Sequence, residues 1–510
     1  MRRRPRVAVV GAGVGGLAAA ARLAHSGFEV DVFEKHAGPG GRCGRLVLDG
    51  FTFDTGPTVL LLPQLVERTF AAAGTRLSDF LTLERLEPNH TVHFPDGTAL
   101  TLGSDLARVS AELESLAPGS TPGFLRFLGF SERAYRTTLR RFVLKDFDHP
   151  GQLLAPGTVR DLLAVRGHRS LASVVARFIR DDRLRAAVSF QTMYLGMSPF
   201  RAPAVHGLLP FCEMGVGVYF PRGGLHALPL ALERLGRGLG VRFHYRTEVR
   251  RILTTPERAR GVELAEGTRL EADLVLCNVD LPFAYRMLLD PHHARLRRPE
   301  RLRYTSSALV LYLGLGRTFP GLGHHTVFLG RDFRGSFEDI FRRGRVPADP
   351  SFYLAVASRT DPSLAPPGKD GVYVLVPVPH RHPSLDWAVE GPRVREKVFS
   401  RLAGEGFPLE RHVRVERTFT PDDWEASYGL EKGSAFGLSM NLGQVGPFRP
   451  PNRDRNLANL FFVGASTQPG SGLPTVMVSA ELVVERMLAH ARAAGFLLPA
   501  RLPSGEVAAA

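Results

Sequence analysis

The sequence predicts an α/β fold, in which a dinucleotide-binding domain with a parallel sheet is interleaved with an α+β domain. Two observations predict it. A buried strand, Arg6–Val10, runs directly into the glycine-rich turn of residues 11–16 and then into an apolar helical stretch. More than four hundred residues later, a strand over residues 459–463 enters a second glycine-rich turn and a helix over residues 475–489. A strand, a glycine turn and a helix in this order are typical of a phosphate-binding βα unit.

The first turn has the residue types that bind a pyrophosphate. Gly11 permits the tight turn, Gly13 lets a phosphate approach the backbone, and Gly16 allows the helix to pack closely on the strand. The helix N-terminus adds unpaired N–H groups and a partial positive charge. The next strand, Glu29–Phe33, is followed by Glu34, whose carboxylate can accept hydrogen bonds from a ribose.

Two further glycine-rich segments favour a cofactor larger than a nicotinamide nucleotide. Residues 39–42 and 50–57 follow Glu34 where a nicotinamide-binding domain would continue into another βα unit. Residues 464–474 lead into the C-terminal helix. The partial positive charge at the N-terminus of this helix can stabilise the negative charge that a cofactor ring carries when it is reduced. We therefore expect both ends of the chain to contact one cofactor.

The middle of the chain predicts a second layer. Residues 91–94 and 98–102 are predicted to form a hairpin across Pro-Asp-Gly, and residues 111–205 are mostly helical in pattern. A second sheet is predicted from three apolar or alternating segments, residues 306–314, 352–358 and 372–379.

Composition excludes several classes of protein. Cys43, Cys212 and Cys277 are too few and too far apart for a disulfide framework or a metal cluster, and they fit a reducing cytoplasm. No run reaches the roughly 18 apolar residues of a spanning helix. The net charge of +15 is spread along the chain without a nucleic-acid-binding motif, so we expect no nucleic-acid partner.

One segment has two possible interpretations. In residues 123–147, Phe124, Leu128 and Tyr135 share a helical face, while Arg133 and Arg136 lie on another. Such a helix can lie in a lipid headgroup layer or can cover the protein's own core.

Several motifs resemble those of one known family. The segments FTFDTGPT (residues 51–58), YFPRGG (219–224), GHHTVF (323–328) and the C-terminal turn over residues 462–474 occur in order along the chain. Together they resemble the FAD-dependent carotenoid desaturases of the bacterial phytoene desaturase type. The chain departs from that pattern at Ser466, Gln468 and Leu473.

This resemblance implies the fold and its boundaries. It implies an FAD-binding, Rossmann-like domain of the two-dinucleotide-binding, amine-oxidase-like kind, interleaved with an α+β substrate domain. The expected FAD-binding domain is discontinuous, over residues 1–110, 212–290 and 440–498. The substrate and membrane-associating domain is expected over residues 111–211 and 291–439, with a frayed tail over residues 499–510.

The cofactor implied by the resemblance is FAD, without a metal. The residues expected to bind it come from the glycine-rich segments, from the position that meets the adenine and from the C-terminal helix. They are Gly11, Gly13, Gly16, Glu34, Lys35, Gly41, Arg42, Gly56, Pro57, Thr58, Val249, Gly464, Thr475, Val476 and Met477.

The implied reaction introduces C=C bonds into a C40 polyene, by hydride transfer to flavin and loss of a proton, as from phytoene to lycopene. The alternatives are a 3,4-desaturase of a hydroxylated carotenoid, a carotene isomerase or oxidase, and, more distantly, a non-catalytic lipid- or flavin-binding protein. Oxygen or a quinone is expected as electron acceptor. Because the substrate is an insoluble hydrocarbon, we expect a cytoplasmic protein attached peripherally to the cell membrane.

Candidate acid–base and metal-binding residues are few. Asp161 matches a family segment whose acidic residue has been linked to acid–base chemistry, although Ala164 replaces the base that often follows. Facing an apolar cavity, Asp161 would have a raised pKa and could carry a proton, whereas on the surface it would pair with an arginine. The pairs His324–His325 and His380–His382 lack the acidic spacing of a metal site, so a structural role is expected.

Overall fold

The computed structural model describes residues 3–293 and 302–499. In those residues the strands are β1 Arg6–Val10, β2 Glu29–Phe33, β3 Arg45–Leu48, β4 Phe51–Asp54, β5 Leu83–Leu86, β6 His90–His93, β7 Ala99–Leu102, β8 Val218–Pro221, β9 Arg242–His244, β10 Val249–Thr254, β11 Ala259–Leu264, β12 Arg269–Glu271, β13 Leu274–Cys277, β14 Ser307–Leu315, β15 His325–Phe328, β16 Phe352–Ala355, β17 Asp370–Val378, β18 Val413–Phe419 and β19 Leu460–Phe462.

The helices of the same residues connect the two main sheets and cover them. They are α1 Val14–His25, α2 Pro63–Ala72, α3 Leu106–Leu116, α4 Thr121–Thr138, α5 Pro156–Ala164, α6 Leu171–Val175, α7 Asp182–Phe190, α8 Leu209–Phe211, α9 Ala227–Gly238, α10 Leu281–Phe283, α11 Phe333–Glu338, α12 Trp387–Gly404, α13 Pro421–Tyr428 and α14 Leu473–Ala493. None of these helices is both long enough and apolar enough to cross a bilayer.

A parallel sheet in the order β19-β13-β1-β2-β9 brings the two ends of the chain together. Helix α1 packs against both α9 and α14 on one face of this sheet. The alanines of α1, residues 18–21, are fully buried there, and their small side chains allow the three helices to approach closely. The α/β prediction and the predicted strands at both ends are confirmed.

The second main sheet is mixed, in the order β18-β14-β17-β16-β15-β6-β7. Strand β14 is buried on both faces: Leu309, Leu311 and Leu313 pack toward α12, while Val310 and Tyr312 pack in the core on the other face. This alternation is the two-residue period of a strand with a layer on each side.

The predicted hairpin extends this sheet. The predicted hairpin is present as β6 and β7, but β6 pairs in parallel with β15 and so extends the second sheet. The division of the chain into domains at residue 110 stays a prediction, and the hairpin before it pairs with the second sheet. The short alternating strands of the hairpin carry no local signal for pairing with β15, which is more than two hundred residues away in the sequence.

Helix α4 covers the protein's own core. Phe124, Phe127 and Phe130 are at most 2% exposed and belong to a buried cluster, while Leu128 packs against it. The arginine face of this helix is exposed, with the side chain of Arg136 at 72%. The interpretation of residues 123–147 as a lipid-docking helix is therefore wrong, because its apolar face is already buried. The predicted tail lies outside the described residues from residue 500 onward.

Candidate functional site

The strands of the parallel sheet end in register beside a large cavity. Val10 of β1 pairs with Phe33 of β2 and with Cys277 of β13, which in turn pairs with Phe462 of β19. The residues that follow these strand ends therefore meet at one edge of the sheet, the edge where α/β folds bind ligands.

The cavity at this edge has a volume of about 800 Å³, within the range of ligand and cofactor sites. Most of the residues predicted to bind the cofactor line it. These are Gly11, Gly13, Glu34, Lys35, Gly41, Arg42, Gly56, Pro57, Val249, Gly464 and Val476.

The other four predicted cofactor residues do not line the cavity. A Cβ at Gly16 would lie 2.3 Å from the carbonyl oxygen of Gly11, so this glycine serves helix packing. Thr58 Oγ1 lies 2.8 Å from the hydroxyl of Tyr353. Thr475 Oγ1 donates to the carbonyl of Ser471, and Met477 is 1% exposed within the core. Direct contact of these four with a cofactor stays a prediction.

The glycine turn leaves open the space that a phosphate needs. Gly11 has φ +97°, a conformation that favours glycine. A Cβ at Gly13 would lie 2.5 Å from Nδ2 of Asn278 and would fill the face of the turn. Gly13 is also the N-cap of α1 and supplies no side-chain cap, so the first N–H groups of the helix keep their capacity to bind an anion.

Glu34 fixes the first turn through both carboxylate oxygens. Oε2 accepts a hydrogen bond from the backbone N–H of Ala12 at 2.8 Å, and Oε1 accepts one from the N–H of His36 at 2.9 Å. Each carboxylate oxygen has a second lone pair, so Glu34 can still accept hydrogen bonds from a diol. The residue is 6% exposed and lines the cavity.

A buried arginine holds the C-terminal turn. Arg449 is 1% exposed, and its guanidinium donates to the carbonyls of Thr467 and Ala465 and to three carbonyls in residues 438–444. These charge-assisted bonds fix the turn that precedes α14. They bring Gly464, with φ +117°, and the start of α14 against the cavity.

Arg42 and Asp280 place opposite charges beside the same cavity. Arg42 Nη1 donates to the carbonyl of Ala435 at 3.1 Å, and burial lowers the pKa of Arg42. Burial raises the pKa of Asp280, whose carboxylate accepts a hydrogen bond from Ser466 Oγ. The cation gives this part of the cavity affinity for an anionic or electron-rich group.

Away from the glycine turns the cavity wall is mostly apolar and aromatic. The residues that form this apolar half come from several elements, among them β14, β17 and α13. They include Tyr194, Ala308, Tyr373, Leu375, Trp424 and Phe436. One continuous cavity thus joins a polar, glycine-rich half to an apolar half.

Asp161 does not fit the role of proton carrier. It does not line the cavity, and its carboxylate accepts hydrogen bonds from Arg141 at 2.8 Å and from Arg140 at 2.7 Å. These hydrogen bonds hold the pKa of Asp161 below its ordinary value. Of the two alternatives for Asp161, the structure shows the pairing with arginine, because the carboxylate faces two guanidinium groups instead of an apolar cavity. No observation supports its predicted catalytic role.

Asp54, in the FTFDTGPT segment, and His325 are structural groups with little or partial exposure. Asp54 accepts backbone hydrogen bonds from Leu225 and His226 at 2.9 and 3.0 Å, and burial raises its pKa to about 7. His325 Nδ1 lies 2.7 Å from the hydroxyl of Tyr353, and burial lowers the pKa of His325. Both residues fix contacts between segments that are distant in sequence.

Sequence reasoning missed Asn278 and Tyr194. Asn278 follows β13 at the same edge as Gly11 and limits the space around Gly13. Tyr194 lies in a short helical segment and reaches the apolar half of the cavity. The buried strand ending at Cys277 was a usable signal for Asn278, whereas no local pattern marks Tyr194.

Comparison with known proteins gives consistent results. The family model described as "Flavin containing amine oxidoreductase" matches residues 14–488. The chain is 57% identical over 498 residues to a zeta-carotene-forming phytoene desaturase of Myxococcus xanthus, covering 97% of this chain and 96% of the relative. It is 40% identical to a phytoene dehydrogenase of Streptomyces griseus, over 94% of each chain. An oxidoreductase structure from Methanosarcina mazei, 20% identical, shares the fold with a TM-score of 0.62, covering 94% and 100% of the two chains.

Replacing Gly13 by alanine tests the phosphate-binding turn. Alanine adopts the backbone angles of Gly13, φ −70° and ψ 169°, and its Cβ would meet only the end of the Asn278 side chain, which can move, so the variant is expected to fold. Its Cβ would fill the face of the turn next to Asn278, and we expect at least tenfold weaker binding of a flavin dinucleotide, measured by titration calorimetry.

The matched control is Gly129→Ala in α4, where a Cβ meets open space. This control should bind as tightly as the unmodified protein. Equal binding by Gly13→Ala, with an unchanged circular dichroism spectrum, would contradict the assignment of the turn.

Proposed function

We propose that this chain desaturates phytoene with FAD as its cofactor. The premise is that it belongs to the flavin-containing amine oxidoreductases and, among them, to the carotenoid desaturases related to phytoene desaturase. The observation that supports this proposal is the continuous cavity. Its glycine-rich half suits a dinucleotide, and its apolar half suits a hydrocarbon chain.

We assign the parts of FAD to the glycine-rich half as follows. The turn at Gly11 and Gly13 and the N-terminus of α1 would bind the pyrophosphate, and Glu34 would accept hydrogen bonds from the adenosine ribose. Val249 would contact the adenine, and Val476 near the N-terminus of α14 would contact the ring system.

The chemistry divides between the cofactor and the chain. A bound flavin supplies a hydride acceptor at N5, which suits a substrate whose C–H bonds are not acidic. The apolar half of the cavity orients one C–C bond of the polyene and excludes the water that would trap a carbocation. Tyr373 and Leu375 on β17 and Trp424 on α13 belong to this wall.

The name of the Myxococcus relative favours zeta-carotene over lycopene as the product. A 3,4-desaturase of a hydroxylated carotenoid remains the second candidate, because Gln468 and Ala164 depart from the family pattern. The described residues show no feature that favours a carotene isomerase or oxidase, or a non-catalytic carrier, over a desaturase. Oxygen or a membrane quinone is proposed as the final electron acceptor.

Anaerobic mixing with phytoene tests the proposed reaction. A desaturase should bleach the flavin absorbance in the presence of phytoene and release a product that is lighter by two hydrogen atoms for each flavin reduced. An isomerase would change the absorption spectrum of the polyene without changing its mass. A carrier would leave the flavin oxidised, and either of these last two results would contradict the proposal.

We further propose that the protein takes its substrate from the cytoplasmic face of the cell membrane. Exposing a long hydrocarbon to water costs on the order of tens of kcal/mol, so direct transfer from a bilayer is favoured. An apolar patch is present away from α4. Its exposed residues are Leu154, Val159, Leu163, Leu442 and Phe448, with side chains of Arg140 and Arg160 beside them.

The segments that carry this patch contact one another: residues 150–154 contact both α5 and residues 446–448. Leu154 is 76% exposed and Leu163 is 60% exposed. Large exposed apolar side chains bordered by arginines suit the headgroup layer of an anionic bilayer.

A double substitution tests the patch. Leu154→Ser with Leu163→Ser should lower binding to phosphatidylglycerol vesicles at least tenfold in a co-sedimentation assay, because each leucine contributes about 2 kcal/mol when buried in lipid. Leu106→Ser, at a leucine in α3 that is 44% exposed, is the matched control and should bind normally. Unchanged binding by the double variant would contradict docking through this patch.

A further inference from the structure

Desaturation removes a hydride and a proton, and a buried carboxylate lies close to the apolar half of the cavity. Tyr194 lines this half. Its hydroxyl lies next to the carboxylate of Glu213, which is 1% exposed and does not itself line the cavity, and the interaction between the two groups shifts the pKa of both. A path for a proton therefore runs from the substrate space through one hydroxyl to one buried carboxylate.

The surroundings of Glu213 show a carboxylate held in place without a countercharge. Gln191 Nε2 donates to Oε2 of Glu213, and His90 Nδ1 lies 3.7 Å from the same oxygen. Burial lowers the pKa of His90 to about 4, so this imidazole is neutral at physiological pH. Cys212 and Tyr353 also face the carboxylate, and burial raises the pKa of both.

We propose that Tyr194 is the catalytic residue that takes the proton from the substrate, and that Glu213 positions Tyr194 and receives the proton from it. This inference rests on the proposed desaturase function. One C–H bond of the polyene gives its electron pair and hydrogen to the flavin as a hydride. The neighbouring C–H bond gives its proton to Oη of Tyr194 while the tyrosine proton moves to Glu213, and the electron pair left behind forms the new π bond.

The charge of Glu213 suits this step. Removing a hydride makes the polyene cationic, and an ionised carboxylate one hydroxyl away stabilises that positive charge in a dry cavity. Before the reaction no cation in the described part of the chain compensates the carboxylate, and burial raises the pKa of Glu213 to about 8. A group with this pKa returns its proton to solvent readily between turnovers near neutral pH.

If the role of Glu213 is purely structural, a glutamine at this position should replace it. A glutamine at this position keeps the size of the side chain and can still hydrogen-bond to Tyr194 and Gln191. It can neither ionise nor receive a proton. Glu213→Gln therefore separates the support of Tyr194 from the transfer of the proton.

The experiment measures the rate of anaerobic flavin bleaching by phytoene as a function of pH. For the unmodified holoenzyme this rate should rise as pH increases through about 8, because Glu213 must be ionised to receive a proton. For Glu213→Gln the rate should be about a hundredfold lower and independent of pH in this range, and Tyr194→Phe should lose a similar factor. Glu132→Gln, at a carboxylate paired with Arg136 on the surface of α4, should keep the normal profile.

A second readout needs no substrate. In the flavin-loaded protein, infrared difference spectra should show a protonated carboxyl band that disappears as pH rises through about 8 and is absent in Glu213→Gln. If the unmodified protein never bleaches with phytoene, the proposed function itself fails. If it bleaches and Glu213→Gln retains its rate and pH dependence, the function stands and the proton-transfer proposal is overturned.

Discussion

The site depends on the close approach of backbone at one edge of the parallel sheet. Strands β1, β2 and β13 end in register, and a glycine-rich turn follows β1 beside Asn278. A Cβ at Gly13 or Gly16 would collide with Asn278 or with the carbonyl of Gly11. This packing orients the N-terminus of α1, fixes Glu34, and determines where the C-terminal turn and α14 can meet the cavity.

The second sheet completes the cavity and gives it its chemical asymmetry. Strands β14 and β17 contribute Ala308, Tyr373 and Leu375 to the wall, while their opposite faces pack against α12. Arg42 and Asp280 face the polar half, whereas Ala308, Tyr373 and Leu375 give the other half an apolar and aromatic wall. This division of the cavity wall favours a cofactor that has one charged and one uncharged end, bound next to a hydrocarbon.

Local patterns in the sequence predicted most of the fold and the polar half of the site. Gly11, Gly13 and Glu34 were identifiable because turn geometry and the strand period act over a few residues. Contacts between distant segments were not predictable: β6 pairs with β15, the apolar face of α4 lies in the core, and Asp161 meets two arginines. The pairing of Tyr194 with Glu213 also depends on how separate segments pack.

The most direct test of this account is a crystal structure of the flavin-loaded protein with a bound polyene. The account predicts the adenosine beside Glu34, the ring system between Pro57 and Val476, and the polyene against Tyr373 and Leu375. A structure in which the polyene lies outside this cavity, or in which the ring system faces away from its apolar half, would contradict the account.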